Sequence, residues 1–473
     1  MRMNRPHVVI LGGGFGGLAA AQALKKAPVN VTLVDRRNHH LFQPLLYQVA
    51  TAALSPGDIA YPIRAALAEQ KNARVLLAEA LAIDVNARRV VLDDGHLDYD
   101  YLIVATGATH SYFGKDWGHL APGLKSIEDA TEIRRRIFLA YEAAERESDP
   151  AKQGEWLTFV VVGGGPTGVE LAGALGEIGL HTLANDFRSI DPTQVRVVLC
   201  EGLDRVLNTY PPKLSEAAKQ SLEQRSVEVR VKTLVTAIDE HGVTVKSETG
   251  EERIGARTVL WAAGVQASPL AATLGAPRDR AGRVEVNADL SIPGHPEVFV
   301  VGDLAKMMNA DGTMVPGVAQ GALQGGKHVG KIIAEEARRG SNGNATVGSA
   351  RQEFDYKRPA FRYWDKGNMA TIGRASAVIA TKRFAKSGLF AWLLWWVVHI
   401  MFLVGFRNRI LVMFHWAWSW MTFKRGARLI TGEIPKLPEI RAIGPNGEAE
   451  LPAPALAVAI EKPDEQHAPR PHA

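Results

Sequence analysis

The 473-residue chain has a single cysteine, Cys200. One thiol excludes an internal disulfide and a redox dithiol, and no Cys/His spacing suits a metal ion, so metal ligands are expected to be none. Charge of one sign is also lacking: 55 Lys and Arg stand against 50 Asp and Glu. The pI is basic, about 9.1, but the basic residues form no stripe and no known module, so nucleic acid is not an expected partner. Arg2 and Arg5 before an apolar stretch imitate an export signal, yet cleavage there would destroy a complete βαβ unit. A lone cysteine fits a reducing compartment. Aromatics are sparse at 7%, yet six of the ten tryptophans lie between Trp392 and Trp420. The length allows two or three domains with well-buried cores.

What is present is a glycine pattern written twice. His7 to Leu11 reads as a strand, Gly16 to Lys26 as a helix of small residues, and Gly12-x-Gly14-x-x-Gly17 joins them. In a dinucleotide loop the first glycine permits the tight turn and the second lets backbone approach a phosphate. The third lets the helix sit close on the sheet, with its free N–H groups facing the anion. A second strand, Val29 to Val34, ends in Asp35, at the spacing of a carboxylate that accepts from a ribose hydroxyl. Strands are read at Val75 to Asp84 and Arg89 to Asp93, and Tyr101 to Val104 is a strand ending in Ala105-Thr106-Gly107.

After a charged helix from Thr131 to Ser148, the layout returns. Trp156 to Val162 is a strand, Gly163-x-Gly165-Pro166-Thr167-Gly168 repeats the spacing, and a helix opens at Val169. Val195 to Leu199 leads to Cys200 and Glu201, the intervening excess being an extended helix and loop from Gly179 to Gln194. Glu201 suits the two hydroxyls of an adenosine ribose and would repel a 2′-phosphate, which favours NADH over NADPH, with Arg205 nearby the one opposing sign. Cys200 reads as a buried strand residue with no catalytic partner. Val229 to Val231, Thr233 to Ile238 and Gly242 to Lys246 suggest a small antiparallel region. Thr258 to Gly264 echoes the earlier strand ending in Ala-x-Gly, and Glu297 to Val301 closes the first unit with Gly302-Asp303. The expected architecture is α/β, two Rossmann-like units in series with the second inserted in the first. Gln320 and Gln324, four apart, share one face of the helix that follows.

The C-terminal region changes character. Gly388 to Phe406 holds 19 residues without a formal charge, Arg407-Asn408-Arg409 interrupts, and Ile410 to Phe423 is apolar again. Length alone permits a transmembrane helix. Trp392, Trp395, Trp396 and His399 share one helical face, and tryptophan favours the headgroup zone. With Lys382, Arg383, Lys386, Lys424, Arg425 and Arg428 as flanks, the expectation is a helix lying in the membrane interface. A true span, a protein-buried helix or a dimer contact are the alternatives. Beyond Lys436 the composition predicts a disordered tail.

Taken together these residues resemble the type II NADH:quinone oxidoreductases, single-subunit and non-proton-pumping. The match runs from about Pro6 to Gly432 and rests on FQPLLYQVAT at Phe42–Thr51, VVGGGPTGVELAG at Val161–Gly173, VFVVGD at Val298–Asp303, the AQxAxQ at Ala319–Gln324 and the tryptophan-rich segment at Trp392–Arg409. The resemblance implies non-covalent FAD in the first fold, NADH in the second, and a membrane quinone (ubiquinone or menaquinone). It implies that FAD is bound by Gly12, Gly14, Phe15, Gly16, Gly17, Asp35, Arg36, Gln48, Ala105, Thr106, Gly107, Gly302, Asp303 and Ala319. NADH would fall to Gly163, Gly165, Pro166, Thr167, Gly168, Glu201 and Gly264. Glu170 would sit near nicotinamide and flavin, though a first-turn helix acid can also simply complement the dipole. Gln320 and Gln324 would border the quinone pocket. The domain reading is 1–115 and 290–345 for FAD, 116–289 for NADH, 346–435 for membrane association and 436–473 for the tail. The expected place is the cytoplasmic face of a bacterial inner (plasma) membrane, the protein peripheral to the bilayer, with a homodimer through the C-terminal helices compatible with the pattern.

Rival readings fail on particular residues. Sulfide:quinone oxidoreductases and disulfide reductases need redox cysteines beside the flavin. A soluble reductase feeding a protein acceptor has no use for the tryptophan-rich segment. A flavoprotein that only binds or signals leaves the AQxAxQ unexplained.

Overall fold

The computed structural model describes residues 5–309, 311–342, 356–422 and 425–438. Most of the tail expected at 436–473 lies outside these residues, as do 346–355 and, in the C-terminal flank, Phe423 and Lys424. The elements that place the site are, in chain order, β1 (His7–Leu11), α1 (Phe15–Ala23), β2 (Asn30–Asp35), β3 (Ala73–Leu77), β4 (Tyr101–Val104), α2 (Ile127–Arg146), β5 (Thr158–Val162), α3 (Pro166–Glu177), β6 (Arg196–Cys200), β7 (Val227–Arg230), β8 (Thr258–Trp261), β9 (Ser291–Ile292), β10 (His295–Val300), α4 (Ala319–Asn342), β11 (Asn368–Gly373), β12 (Ser376–Ala380), β13 (Ala385–Gly388), α5 (Leu389–Phe402) and α6 (Phe406–Thr422).

Two open sheets carry the molecule. The first has the order β9-β10-β4-β1-β2-β3, parallel except for β9. The second is all parallel, β7-β6-β5-β8. Covered on both faces, the central strands read as unbroken apolar runs: Val8 to Leu11 and Phe159 to Val161 are 0–1% exposed. The chain crosses between the sheets through two short strands, Ala108–His110 and Val265–Ala267, which pair antiparallel as a ribbon. The first sheet thus takes strands from both sides of the second in sequence, which makes the second unit an insertion.

The C-terminal module is a three-stranded antiparallel sheet, β11-β12-β13, followed by α5 and α6. It packs on α3 at backbone distance, since a Cβ at Gly173 would stand 1.8 Å from the Ile372 carbonyl oxygen. The α6 helix docks on the first unit: Asn408 Nδ2 donates to the Gly57 and Ala60 carbonyls, and His415 pairs with Asp58 at 3.2 Å. Arg425 closes the arrangement. Its Nη1 donates to the Thr51 carbonyl of the first unit at 2.8 Å, and its Nη2 lies 3.4 Å from Glu177 at the end of α3.

Several local expectations are corrected. Residues 227–230 join the parallel sheet as its edge strand; an edge strand keeps one face in water, so its alternation looked antiparallel. The antiparallel region is instead Leu234–Asp239, Gly242–Ser247 and Gly250–Gly255. The charged helix begins earlier than Thr131, because Ser126 caps it reciprocally with Asp129. The strand read at Val75 to Asp84 is two elements, β3 and Ala80–Asp84, the latter part of a separate meander.

The uncharged run from 388 to 406 is not one helix. It stops at Phe402; Gly405 adopts φ +91°, and a side chain there would strike the Tyr61 ring. Arg409 Nε satisfies the freed Leu403 carbonyl at 2.8 Å. Fourteen residues rise about 21 Å, short of the ~30 Å hydrocarbon layer. Among the described residues no helix is long and apolar enough to cross a membrane.

The contact at Gly173 yields a stability test. Gly173→Ala must push α3 off β11 and should cost about 1–3 kcal/mol in urea unfolding. Gly154→Ala, in a helix with open space around it, should instead stabilise by up to about 1 kcal/mol.

Candidate functional site

The two glycine loops are the same object built twice. Gly12 (φ +100°) donates to the Val34 carbonyl at 2.8 Å, and Gly163 (φ +107°) donates to the Cys200 carbonyl at 2.8 Å. A Cβ at Gly17 would stand 1.8 Å from the Gly12 oxygen, and one at Gly168 would stand 1.8 Å from the Gly163 oxygen. The first turn of each helix is therefore pressed against the turn that precedes it. Gly14 and Gly165, the N-caps of α1 and α3, have nothing within 4 Å of where a Cβ would be and no side chain capping the helix. Free N–H groups thus face open space, the chemistry of a pyrophosphate seat.

The acids match as closely. Asp35 accepts from the Gly13 N–H at 2.6 Å and the Arg37 N–H at 2.7 Å. Glu201 accepts from the Gly164 N–H at 2.5 Å and the Leu203 N–H at 2.8 Å. Each carboxylate is held by backbone on the loop side, with lone pairs left for ribose hydroxyls. Arg205, the residue that could have welcomed a 2′-phosphate, donates to the Asn208 carbonyl.

Other expected contacts divide. In the first unit, Ala105 and Thr106 lie against Gly12, and the Thr106 hydroxyl is buried without a protein partner, a polar atom waiting for a ligand. Gly107 turns at φ +70°. Gly302 turns the chain at φ +74°, and Asp303 then lies beside Gly317, just ahead of Ala319 at the start of α4. Gly16 and Phe15 open α1, where the Phe15 ring meets His40 and Phe42 edge-on. These groups fit FAD: phosphate seat, ribose acid, buried hydroxyl and a carboxylate for the ribityl chain. Two residues expected there also have protein partners. Arg36 points to Glu79 at 3.7 Å, and buried Gln48 gives its amide to Tyr47 Oη and takes a bond from Trp416 Nε1 at 2.6 Å.

Between the two units lies a cavity of about 130 Å³, lined by Gln43, Leu46, Tyr47, His110, Leu124, Lys125, Thr167, Glu170, Trp261, Ala262, Gly264 and Val265. Thr167 and Gly264 from the second unit therefore face the first. Pro166 sits at the first position of α3, and Gly264 has the Phe113 ring against it. Glu170, one turn into α3, projects into this cleft. Burial raises its carboxyl to about 8, against the opposing pull of the Thr371 N–H, so it is mostly protonated at neutral pH. Burial likewise pushes the Cys200 thiol up to about 12, which suits a packing residue and not a nucleophile.

Glu170 and Tyr47 also line a second cavity, of about 110 Å³, roofed by Trp392, Trp395, Trp396 and Trp416 and floored by Glu177 and Arg425. This corrects the placement of the tryptophan face. It turns inward: Trp395 is 2% exposed and stacks on His399 at 4.3 Å, and His399 meets Phe42 edge-on. His399 Nδ1 donates to the Trp395 carbonyl at 2.7 Å, and burial holds its pKa down to about 4, so it is a neutral ring with Nε2 bare. The opposite stripe of α5, Leu389, Leu393, Val397 and Met401, is exposed. The pattern of tryptophans at i, i+3, i+4 and i+7 marked a buried face, and the plain aliphatic positions were the outward ones.

Gln320 and Gln324 fasten the C-terminal module to α4. Gln320 Nε2 donates to the Gly367 carbonyl at 3.2 Å, leaving its buried Oε1 without a partner. Gln324 exchanges two bonds with the Trp364 backbone. Lys125, Tyr47, His110 and His399 are site residues the sequence reading did not assign. A Ser126-x-x-Asp129 capping box was visible and would have put Lys125 at a helix mouth.

Comparison with known proteins agrees with this geometry. Residues 6–326 match the pyridine nucleotide-disulphide oxidoreductase family and residues 365–425 the NDH2 C-terminal domain. Two Mycobacterium tuberculosis proteins named type II NADH:quinone oxidoreductase are 48% and 46% identical, each over 91% of this chain and over 90% and 91% of their own lengths. A Staphylococcus haemolyticus protein of the same name is 32% identical over 80% of the chain and 90% of its own length. Among solved structures, NDH2 from Plasmodium falciparum in complex with NADH has a similar fold, with a TM-score of 0.78 at 20% identity, covering 90% of this chain and all of that one. A sulfide:quinone oxidoreductase from Aquifex aeolicus shares the fold at a TM-score of 0.63 and 19% identity, over 85% and 92%. On family match, identity and coverage together, this chain belongs to the type II NADH:quinone oxidoreductases.

Proposed function

We propose that the protein is a peripheral membrane enzyme that oxidises NADH and reduces a membrane quinone, with non-covalent FAD in the first cradle and no proton pumping. The observation that carries this is the cleft where the two cradles meet, with Glu170 exposed both to it and to the tryptophan-roofed cavity beyond. Residues 1–115 and 290–345 serve FAD, 116–289 serve NADH, and 346–435 serve the membrane. Bound FAD supplies the two-electron chemistry that links a hydride donor to a quinone.

The chain's own part is mostly orientation. Two helix N-termini and two ribose acids, Asp35 and Glu201, hold the dinucleotides, while Thr167 and Gly264 admit the nicotinamide end to the cleft; the rate gain is the entropy of placement. Glu201 selects NADH. Leu46, Tyr47 and Trp261 supply large apolar and aromatic walls to the cleft. Quinone reduction consumes two protons, and Glu170, neutral below about pH 8, can give one. Gln320 lies where α4 meets the C-terminal module and can donate to a quinone carbonyl.

The membrane reading rests on the outward faces of α5 and α6. Leu389, Phe390, Leu393, Val397 and Met401 are exposed on one helix and Met413, Phe414, Trp418 and Met421 on the other. Both helices are apolar on the inner face too, so the outer stripe has no role in the core. A surface of this kind, beside the exposed Lys382, Arg383 and Lys386, suits burial in the headgroup and acyl boundary of an anionic leaflet. The cytoplasmic face of a bacterial membrane, where NADH is available, is the fitting place.

Three outcomes are expected. Gln320→Ala should slow reoxidation by quinone roughly tenfold, the loss of one hydrogen bond in the transition state, while flavin reduction by NADH changes little; equal losses in both stopped-flow half-reactions would count against the role. The quinone half-reaction of the wild type should decline above about pH 8 as Glu170 loses its proton, and Glu170→Gln should be slower at pH 7 and lack that limb. Replacing Val397, Met401 and Phe414 together by Ser should weaken co-sedimentation with anionic vesicles at least about tenfold, with NADH oxidation by a short-chain quinone retained.

A further inference from the structure

Among the described residues, the cleft between the two units is lined by one ammonium group, that of Lys125. Lys125 sits one residue before the Ser126 N-cap of α2, and its own N–H donates to Asp129 Oδ2 at 2.9 Å, which fixes its backbone at the mouth of that helix. Its side chain, about a quarter exposed, lines the cleft beside Thr167 and Glu170. Its Nζ lies 3.9 Å from Asp303 Oδ2, at the outer limit of an ion pair. Asp303 marks the end of the first cradle, and Thr167 and Glu170 mark the entry from the second. Lys125 belongs to both groups, so it stands between the end of the first cradle and the entry from the second.

The other charged groups around it do not cancel it. Glu170 is mostly protonated at neutral pH. Asp129 is taken by His110 at 3.2 Å and by the N–H groups of Lys125 and Ser126. Asp303 Oδ2, 3.9 Å from the ammonium, makes no hydrogen bond to it and pairs with it only loosely.

We propose that Lys125 is a further catalytic residue: its ammonium faces the flavin ring and stabilises the negative charge that arrives with the hydride. This rests on FAD occupying the first cradle. A hydride carries two electrons and one proton, so its donor leaves as NAD⁺ and the ring gains one negative charge. When two electrons and that proton pass to a quinone, together with a second proton from solvent or Glu170, the charge disappears again. A fixed cation at the ring favours the reduced state, and a part-buried one acts more strongly than the same charge in bulk water.

The test uses the purified holoprotein and its Lys125→Met, Lys125→Gln and Lys125→Arg variants, each titrated to redox equilibrium against dyes of known potential. The equilibrium constant for two-electron reduction of the bound flavin should fall at least about tenfold in the Met and Gln variants and stay within about threefold in the Arg variant. The pH at which one fewer proton accompanies the two electrons should move up in the uncharged variants, because the anion has lost its partner; Asp303, Glu170 and the His110–Asp129 pair are unchanged in all four proteins. An unchanged equilibrium constant would overturn the proposal, as would an Arg variant that behaves like Met. Flavin lost from both uncharged variants would overturn it too, since the lysine would then be holding the ribityl chain or the fold. A wild type that binds no flavin would instead overturn the FAD reading itself, so the two failures are distinguishable.

Discussion

The structure depends on backbone approaching backbone where no side chain can intervene. At Gly17 and again at Gly168, a methyl group would stand 1.8 Å from a carbonyl oxygen of the preceding turn. That contact pulls each helix N-terminus onto the carboxyl edge of its sheet, and everything polar in the site is arranged relative to it. The acids at the ends of β2 and β6 reach the loops only because the loops are this tight, and each ties its loop with one N–H bond while a second comes from the backbone two residues after the acid. One cleft then opens between the two units, beside the antiparallel ribbon of 108–110 and 265–267 that joins them.

Glu170 has its properties from that juxtaposition. As a first-turn helix acid in water it would be an ordinary carboxylate stabilised by the dipole. The first unit and the C-terminal module cover it, and burial outweighs both the dipole and the Thr371 N–H, so it keeps a proton at neutral pH. A neutral acid lining two cavities is a proton donor that carries no standing charge. Lys125 is the complementary case, a cation about a quarter exposed and only loosely paired.

The C-terminal helices show how one composition serves two interfaces. Both are apolar around most of their circumference. The aromatic side closes a cavity over Glu177 and Arg425, where tryptophan offers a large flat area and an N–H for a partner such as Gln48. The aliphatic side is left outward. Arg425 links Thr51 of the first unit to Glu177 of the second, so the C-terminal module and the two α/β units are fastened together.

Much of this was legible in the chain. The doubled strand–glycine–helix–strand–acid layout is local, since each member lies within about forty residues of the next and its conformation follows from sterics that only glycine satisfies. Cofactor type was legible through Asp303 and the AQxAxQ, and the absence of a second cysteine removed the nearest rivals. What tertiary structure alone decided involves which face of an element meets what. Periodicity showed that Trp392, Trp395, Trp396 and His399 share a side of α5, but an apolar stripe has the same spacing whether lipid or protein covers it. Gln48 is held by Trp416, 368 residues away in the chain, a partner no local pattern announces. Lys125 looked like one surface lysine among many. Its meaning comes from Asp303 and Glu170, brought beside it by folds closed far along the chain, and pairings over that distance leave no local pattern to read.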